Sequence, residues 1–377
     1  MKKLLYVKSS PYKVNIGKYN VQVIGMCKEL IKYGYDCDIL FIDNYNHDEI
    51  IAEDSKTKCR IKILYRKGIK IWDTGIYPSI LKKKVLDKYD VVISTEWDQI
   101  MTPLLALKHN NVSMYSGPYR NTFRRMGADK IYNLLFRKII NNKVKNKIVK
   151  SVLAKKFLES MHYEDIKVVG VGLDVDKFKG VEEVSDNVKE ITDYMRDNKS
   201  ILFVGTLDQN KNVEFLLKVF DKISNNNPDI SCIIIGNGDV NYYNECLNLI
   251  STNAKNKIKW YKTVNNQEMK NIYPLAEALV LPSKNEIFGM VMLEAMYFGC
   301  PVVSSYNGGS STLIKDNSYG IVHKDFNVDL WADSIEKLIK DNQYRGDIIK
   351  NAYENISNNY TWENKAKEII KIIEEKK

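Results

Sequence analysis

Apolar residues along this chain come in short continuous runs separated by stretches of helical spacing, and that alternation occurs twice. The first half holds runs of strand length at 3–7, 36–43, 90–94, 112–115, 146–150 and 166–171, with patterns of helical period between most of them. The second half repeats the arrangement at 200–205, 231–236, 258–261, 278–283, 301–305 and 319–323. Its runs are almost entirely apolar, which suits parallel strands covered by helices on both faces. Strands alternating with helices predict an α/β chain of two Rossmann-like, doubly wound domains. Residues 172–190 are polar and lack a strong period, so they read as the connection between the two. The expected boundaries are 1–180 for the first domain, 181–358 for the second and 359–377 for a terminal helix. In that helix Thr361 is placed to cap, and Trp362, Ala366, Ile369, Ile370 and Ile373 share one face.

Composition fits this picture. At 377 residues the chain is long enough to bury two cores. Hydrophobic content of 44% with 28% charged residues is the balance of a soluble globular protein. Cys27, Cys37, Cys59, Cys232, Cys246 and Cys300 form no C-x-x-C pair, and His47, His109, His162 and His323 are scattered. Isolated thiols in a reduced cytosol are therefore expected, without a zinc site. No run approaches the roughly 18 apolar residues of a membrane span, and the opening apolar run is too short for a signal peptide.

The candidate chemistry concentrates in residues 281–305. Glu286 falls on a loop after an apolar run, a helix is expected from Gly289 onward with Glu294 inside it, and the run at 301–305 resumes as a buried strand. Backbone N–H groups at a helix start are unpaired and carry the positive end of the dipole, which suits a diphosphate. Two carboxylates flanking such a site can accept hydrogen bonds from sugar hydroxyls.

The string P-S-x-x-E-x-F-G, the second Glu after seven intervening residues, the following G-C-P-V-V and the Gly308-Gly309 turn resemble the E-x7-E segment of family 4 glycosyltransferases. These are retaining, nucleotide-sugar-dependent enzymes with the GT-B fold, two Rossmann-like domains facing a cleft and a last helix returning to the first domain. The resemblance implies that Glu286 and the backbone of Phe288, Gly289 and Met290 meet the transferred sugar and the phosphates, while Glu294 holds the donor ribose. The segment VGTLDQNKN, residues 204–212, resembles the family's V-G-R-L-x-x-x-K-G. There Gly205 matches, Lys211 stands at the diphosphate lysine, and Thr206 replaces the usual arginine. Glu286 and Lys211 become the catalytic candidates. In the first loop Ile16-Gly17 replaces the usual Gly-Gly pair, leaving Gly17 as a candidate phosphate contact. Ser116 occupies the place where many relatives have a histidine, and Thr312 the place where a glutamate often follows the Gly-Gly turn. The implied donor is a nucleoside diphosphate sugar, with no cofactor and no metal, since no D-x-D is placed for a cation. One mechanism proposed for the family is same-face attack in which the donor phosphate takes the acceptor proton, so that no side-chain base is required.

Charge adds one feature. Twelve basic residues lie between Arg120 and Lys156, among them Arg124, Arg125, Lys130, Arg137, Lys138, Lys143, Lys145, Lys147 and Lys150, against Asp129 alone. This excess accounts for the net charge of +10. Ile131, Leu134, Leu135 and Ile139 follow helical spacing within it, beside Phe123, Tyr132 and Phe136, giving a basic amphipathic helix. Such a helix can lie in the headgroup layer of an anionic membrane or pack its stripe on the first domain. Arg120, Arg124, Arg125, Arg137, Lys138 and Ser116 are the residues expected to meet the acceptor or the membrane, the acceptor being a lipid-linked glycan or cell-envelope precursor. No nucleic-acid-binding module is present in the sequence, so nucleic acid is not an expected partner. The replacements at 206, 116 and 312 raise a second reading, a non-catalytic GT-B partner of another transferase.

Overall fold

The computed structural model describes residues 1–16, 21–71, 74–123, 127–180 and 183–375. Two compact units share the chain, one formed by Met1–Gly172 with Trp362–Lys377, the other by Leu173–Thr361.

The first unit contains β1 (Lys2–Val7), β2 (Tyr35–Ile42), β3 (His47–Glu53), β4 (Arg60–Arg66), β5 (Ile69–Ile71), β6 (Thr74–Ile76), β7 (Val91–Thr95), β8 (Val112–Ser116), β9 (Asn146–Val149) and β10 (Ile166–Val168). Eight of these form one sheet in the order β10-β9-β8-β7-β1-β2-β4-β3, parallel except for the β3–β4 pair. β5 and β6 make a separate antiparallel hairpin. The strand order reverses direction between β1 and β7, so the loops leaving these two strands diverge and open a crevice at their carboxyl ends. Strands β3 to β6 have no counterpart among the expected runs. β3 is almost wholly exposed, opens with His47, Asp48 and Glu49, and is recruited by pairing with β4 instead of by an apolar pattern.

The terminal helix Trp362–Glu374 belongs to the first unit and lies against the helix Gln22–Lys32. The contact depends on missing side chains. A Cβ on Gly172 would sit 2.6 Å from the Trp362 Cα, and one on Gly25 would strike the Trp362 indole. Ile369 and Ile373 are buried as expected, but Ile372 is buried in place of Ile370, which is half-exposed.

The second unit contains β11 (Ser200–Val204), β12 (Ser231–Ile235), β13 (Ile258–Tyr261), β14 (Ala278–Leu281), β15 (Val302–Ser305) and β16 (Ile321–His323). All neighbours in the order β13-β12-β11-β14-β15-β16 are parallel, and the order reverses between β11 and β14. Its core is continuous around Phe203, Leu216, Phe220, Ile234, Val280 and Trp331. The expected connection over 172–190 is shorter than anticipated. A helix spans Asp186–Asp197 and buries Val188, Ile191, Thr192 and Met195, a period visible only when the window extends beyond residue 190. Among the described residues no helix is long and apolar enough to cross a membrane.

Candidate active site

In the second unit the loops that leave β11 and β14 diverge at the switch point, the place where open parallel sheets hold ligands. The sequence locks the two loops together through asparagines. Lys284 N donates to Asn210 O at 2.7 Å, the Asn210 side-chain amide donates to Asn285 O at 3.0 Å, and the Asn285 amide returns a bond to Asn210 Oδ1 at 3.2 Å. The loops thereby present Lys211 and Glu286 to each other, and the Lys211 ammonium forms an ion pair with Glu286 Oε2. Both side chains are about a quarter exposed, at 23% and 24%, so the pair is open to a ligand. Asp208 Oδ1 accepts from the Lys211 backbone N–H at 2.8 Å, and Asp208 Oδ2 accepts from the Thr206 hydroxyl at 2.7 Å. Thr206 itself is exposed, and Gly205 lies beneath the Lys211 stem, where a Cβ would be 3.6 Å from Cε.

Behind the β14 loop the backbone is packed against backbone. Gly308 N donates to Glu286 O at 2.9 Å, and a side chain on Gly308 or Gly309 would fall on the carbonyl oxygens of Ile287 and Phe288 respectively. The Gly-Gly pair is therefore required by close approach. Its turn is braced by buried Asn307, whose amide donates to Ser305 O at 3.0 Å and whose Oδ1 accepts from Ser310 N at 3.0 Å. Thr312 is buried, and its hydroxyl donates to Gly308 O at 2.9 Å. Phe288 anchors the loop with its side chain 1% exposed. Gly289, at φ +75°, caps the helix Met290–Tyr297 in a left-handed conformation that glycine adopts without strain. Met290 opens that helix, half-buried. Glu294 is 2% exposed, and its Oε2 accepts from Tyr273 Oη at 2.9 Å and from the Asn266 amide at 3.1 Å. A carboxyl group so deep is tolerated because these hydrogen bonds replace its water.

The first unit has its own crevice, of about 390 Å³, at the carboxyl ends of β1 and β7, lined among others by Lys8, Tyr12, Thr95, Glu96, Gln99 and Lys150. Glu96 has φ +62°, a conformation uncommon for a side chain of its size. The surroundings fix it there: Thr102 Oγ1 donates to its carbonyl at 3.0 Å, and its Oε2 accepts from Ser116 Oγ at 3.1 Å and Gly117 N at 2.7 Å. Lys150 Nζ lies 3.5 Å from Glu96 Oε1 and 5.2 Å from the centre of the Tyr115 ring. Burial and the neighbouring Lys150 hold the Lys8 ammonium below its ordinary pKa, against the pull of Glu96. The hydrogen-bonded Ser116 is fully buried, so it positions Glu96 and does not line the crevice. Lys8 and Glu96 were missed in the sequence, where nothing but the switch point marks them.

Gly17, Arg124 and Arg125 lie outside the described residues. Of the basic segment, Lys147 is fully buried and donates to Asn141 O, Lys145 donates to Ile373 O, and Lys150 serves the crevice. Arg120, Lys130, Lys138 and Lys143 are exposed and Arg137 is half-exposed. The helix Ala128–Lys143 buries only Tyr132 and Ile140, leaving Ile131, Leu134 and Leu135 exposed at 63%, 82% and 58%. Among the described residues no group of three His, Cys, Asp or Glu side chains is arranged to hold a metal.

Residues 184–355 match the family model of Glycosyl transferases group 1. The chain is 25% identical to the uncharacterized glycosyltransferase MJ1607 of Methanocaldococcus jannaschii, across 95% of this chain and 94% of that protein. It is 29% identical to the D-inositol 3-phosphate glycosyltransferase of Corynebacterium urealyticum over 56% of this chain and 51% of the relative, so this likeness spans about half of each. Among solved structures, Anabaena Alr3699/HepE in complex with UDP superposes with a TM-score of 0.71 at 15% identity, covering 98% of this chain and 99% of that one. Sucrose-phosphate synthase from Thermosynechococcus elongatus gives 0.70 at 17%, covering 99% and 98%. The chain thus has the GT-B fold of two Rossmann-like domains, and its residues 184–355 match the glycosyl transferases group 1 family.

Proposed function

We propose that this protein is a retaining hexosyltransferase that moves a sugar from a nucleoside diphosphate sugar to a lipid-linked glycan or cell-envelope acceptor, without a metal or cofactor. The observation that carries the reading is the Lys211–Glu286 pair on two interlocked loops at the switch point of a group 1 domain. The diphosphate sits at the start of the helix Met290–Tyr297 with Lys211 on its oxygens, Glu286 turns to the sugar hydroxyls, and Glu294 holds the ribose. An acceptor hydroxyl attacks the anomeric carbon on the face the diphosphate leaves, the carbon–oxygen bond to phosphate breaks, and the proton passes to the departing phosphate oxygen. Lys211 stabilises the charge that grows there. UDP, which occupies the HepE structure, is the first nucleotide to test. The acceptor binds the first domain at the crevice of Lys8, Glu96 and Lys150, two cations suited to an anionic head and a carboxylate suited to a hydroxyl.

Peripheral association with the inner face of the cell membrane completes the reading, since the helix Ala128–Lys143 exposes leucines beside cations. Replacing Arg120, Lys130, Arg137 and Lys138 with glutamine lowers affinity for anionic liposomes by about 1 kcal/mol per residue, most at low salt. Equal co-sedimentation of variant and wild type removes the membrane from the account. The decisive test of the donor is thermal unfolding with a panel of nucleotide sugars, where the true donor raises the midpoint with the logarithm of its concentration. Nuclear magnetic resonance of the product then reads the anomer. No shift from any donor, or an inverted product, contradicts the proposal.

A further inference from the structure

The first unit holds a second cavity, of about 530 Å³, within the range of small-molecule sites. One wall is Ile131, Leu135 and Phe136 of the helix Ala128–Lys143, and the facing wall includes Ile71 and Ile100. Its polar end is Asp98 and Gln99, joined at 3.3 Å, with the Thr122 hydroxyl also on the Asp98 carboxylate. Burial raises the pKa of Asp98. Beside them the side-chain oxygens of Thr74 and Gln99 are buried without a hydrogen-bond partner among the described residues. Tyr12 and Gln99 line this cavity and also the crevice of Lys8, Glu96 and Lys150. One molecule passing between Tyr12 and Gln99 therefore meets an apolar chamber on one side and two cations on the other.

We infer that the acceptor is a single amphiphile whose hydrocarbon chain enters the apolar cavity while its head crosses Tyr12 and Gln99 to the Lys8–Lys150 crevice. The inference rests on the reading of that crevice as the acceptor site, and it adds a bound chain where that reading required only a polar head. The hydrocarbon gains burial against Ile71, Ile100 and Phe136. Ile131 and Leu135 are substantially exposed at the wall, and such a chain buries them. Leu134, 82% exposed on the same helix, does not line the cavity and is the internal control.

The test titrates the full-length protein with decyl phosphate and with decyl β-glucoside, each below its micelle concentration, by calorimetry. Wild type and Leu134→Ser bind both probes alike, and the double variant Ile131→Ser with Leu135→Ser loses about tenfold or more for both. Lys8→Gln with Lys150→Gln weakens decyl phosphate by a similar factor and leaves decyl glucoside unchanged. Undiminished binding in the serine double variant, an equal loss in Leu134→Ser, or no binding to wild type overturns the inference. Retained chain binding with no effect of the lysine variants on decyl phosphate keeps the chain site and instead sinks the crevice as an acceptor site.

Discussion

Both units of this chain open a crevice where their strand order reverses, and both place a lysine–glutamate pair in it, yet the pairs are held by opposite means. In the second unit, Lys211 and Glu286 ride on loops tied to each other by backbone and asparagine amides, with Gly308 and Gly309 letting main chain press on main chain. In the first, Glu96 holds a left-handed conformation and is fastened by single bonds to its own groups, from the Ser116 and Thr102 hydroxyls and the Gly117 backbone N–H. A fixed backbone suits a ligand recognised through its phosphates, a group common to many donors. Side-chain anchoring, which substitution alters readily, suits the half of a transferase that distinguishes acceptors.

The largest expected effect separates the two crevices by chemistry. Lys211→Ala lowers the turnover of sugar transfer by roughly 10²- to 10³-fold, as the loss of one group stabilising developing charge does. Lys150→Gln instead raises the acceptor KM and leaves nucleotide affinity unchanged. Steady-state kinetics with both substrates varied distinguishes the two, and identical changes in both variants would erase the division of labour.

Backbone against side chain is tested by a reciprocal pair of substitutions. Gly309→Ala drives a methyl group onto the Phe288 carbonyl and destabilises the protein by about 1–3 kcal/mol. Glu96→Gly changes stability little, since relief of backbone strain, on the order of 1 kcal/mol or more, offsets the lost hydrogen bonds. Denaturant unfolding measures both. A Glu96→Gly variant as unstable as Gly309→Ala would mean that Glu96 is a structural residue.

A finer cut addresses Glu294. Glu294→Gln keeps oxygen for Tyr273 and Asn266 but removes the charge, and nucleotide affinity falls by about 1–2 kcal/mol with the fold intact. The smallest change is Thr206→Arg, which adds a cation where Asp208 now accepts from the threonine, and which speeds transfer severalfold.

How far the sequence foretold these regions follows the same division. The strands of the second unit were legible nearly throughout because they are apolar runs, and Glu286, Gly289 and Lys211 stood out because their segments resemble those of a known family. The first unit hid more. β3 has no apolar pattern and exists through its pairing with β4, and Glu96 is an acidic residue after an ordinary strand until its neighbours twist it. Of the basic segment, Lys145, Lys147 and Lys150 turn inward to partners that sequence spacing cannot reveal, while Arg120, Lys130 and Lys138 stay exposed. Ser116 was singled out for its place at a strand end, but that it bonds Glu96 depends on β7 and β8 being neighbours in the sheet.

The central claim is that the Lys211–Glu286 crevice binds and activates a nucleoside diphosphate sugar. Its most direct measurement is nucleoside diphosphate release from a panel of nucleotide sugars, with membrane extract as acceptor, by wild type and Lys211→Ala side by side. The account predicts release from one donor by wild type and a fall of at least 10²-fold in the variant, whose unfolding midpoint stays near that of wild type. Equal release by the two proteins, or none from any donor by wild type, would contradict it, and the second outcome would favour a non-catalytic partner of another transferase.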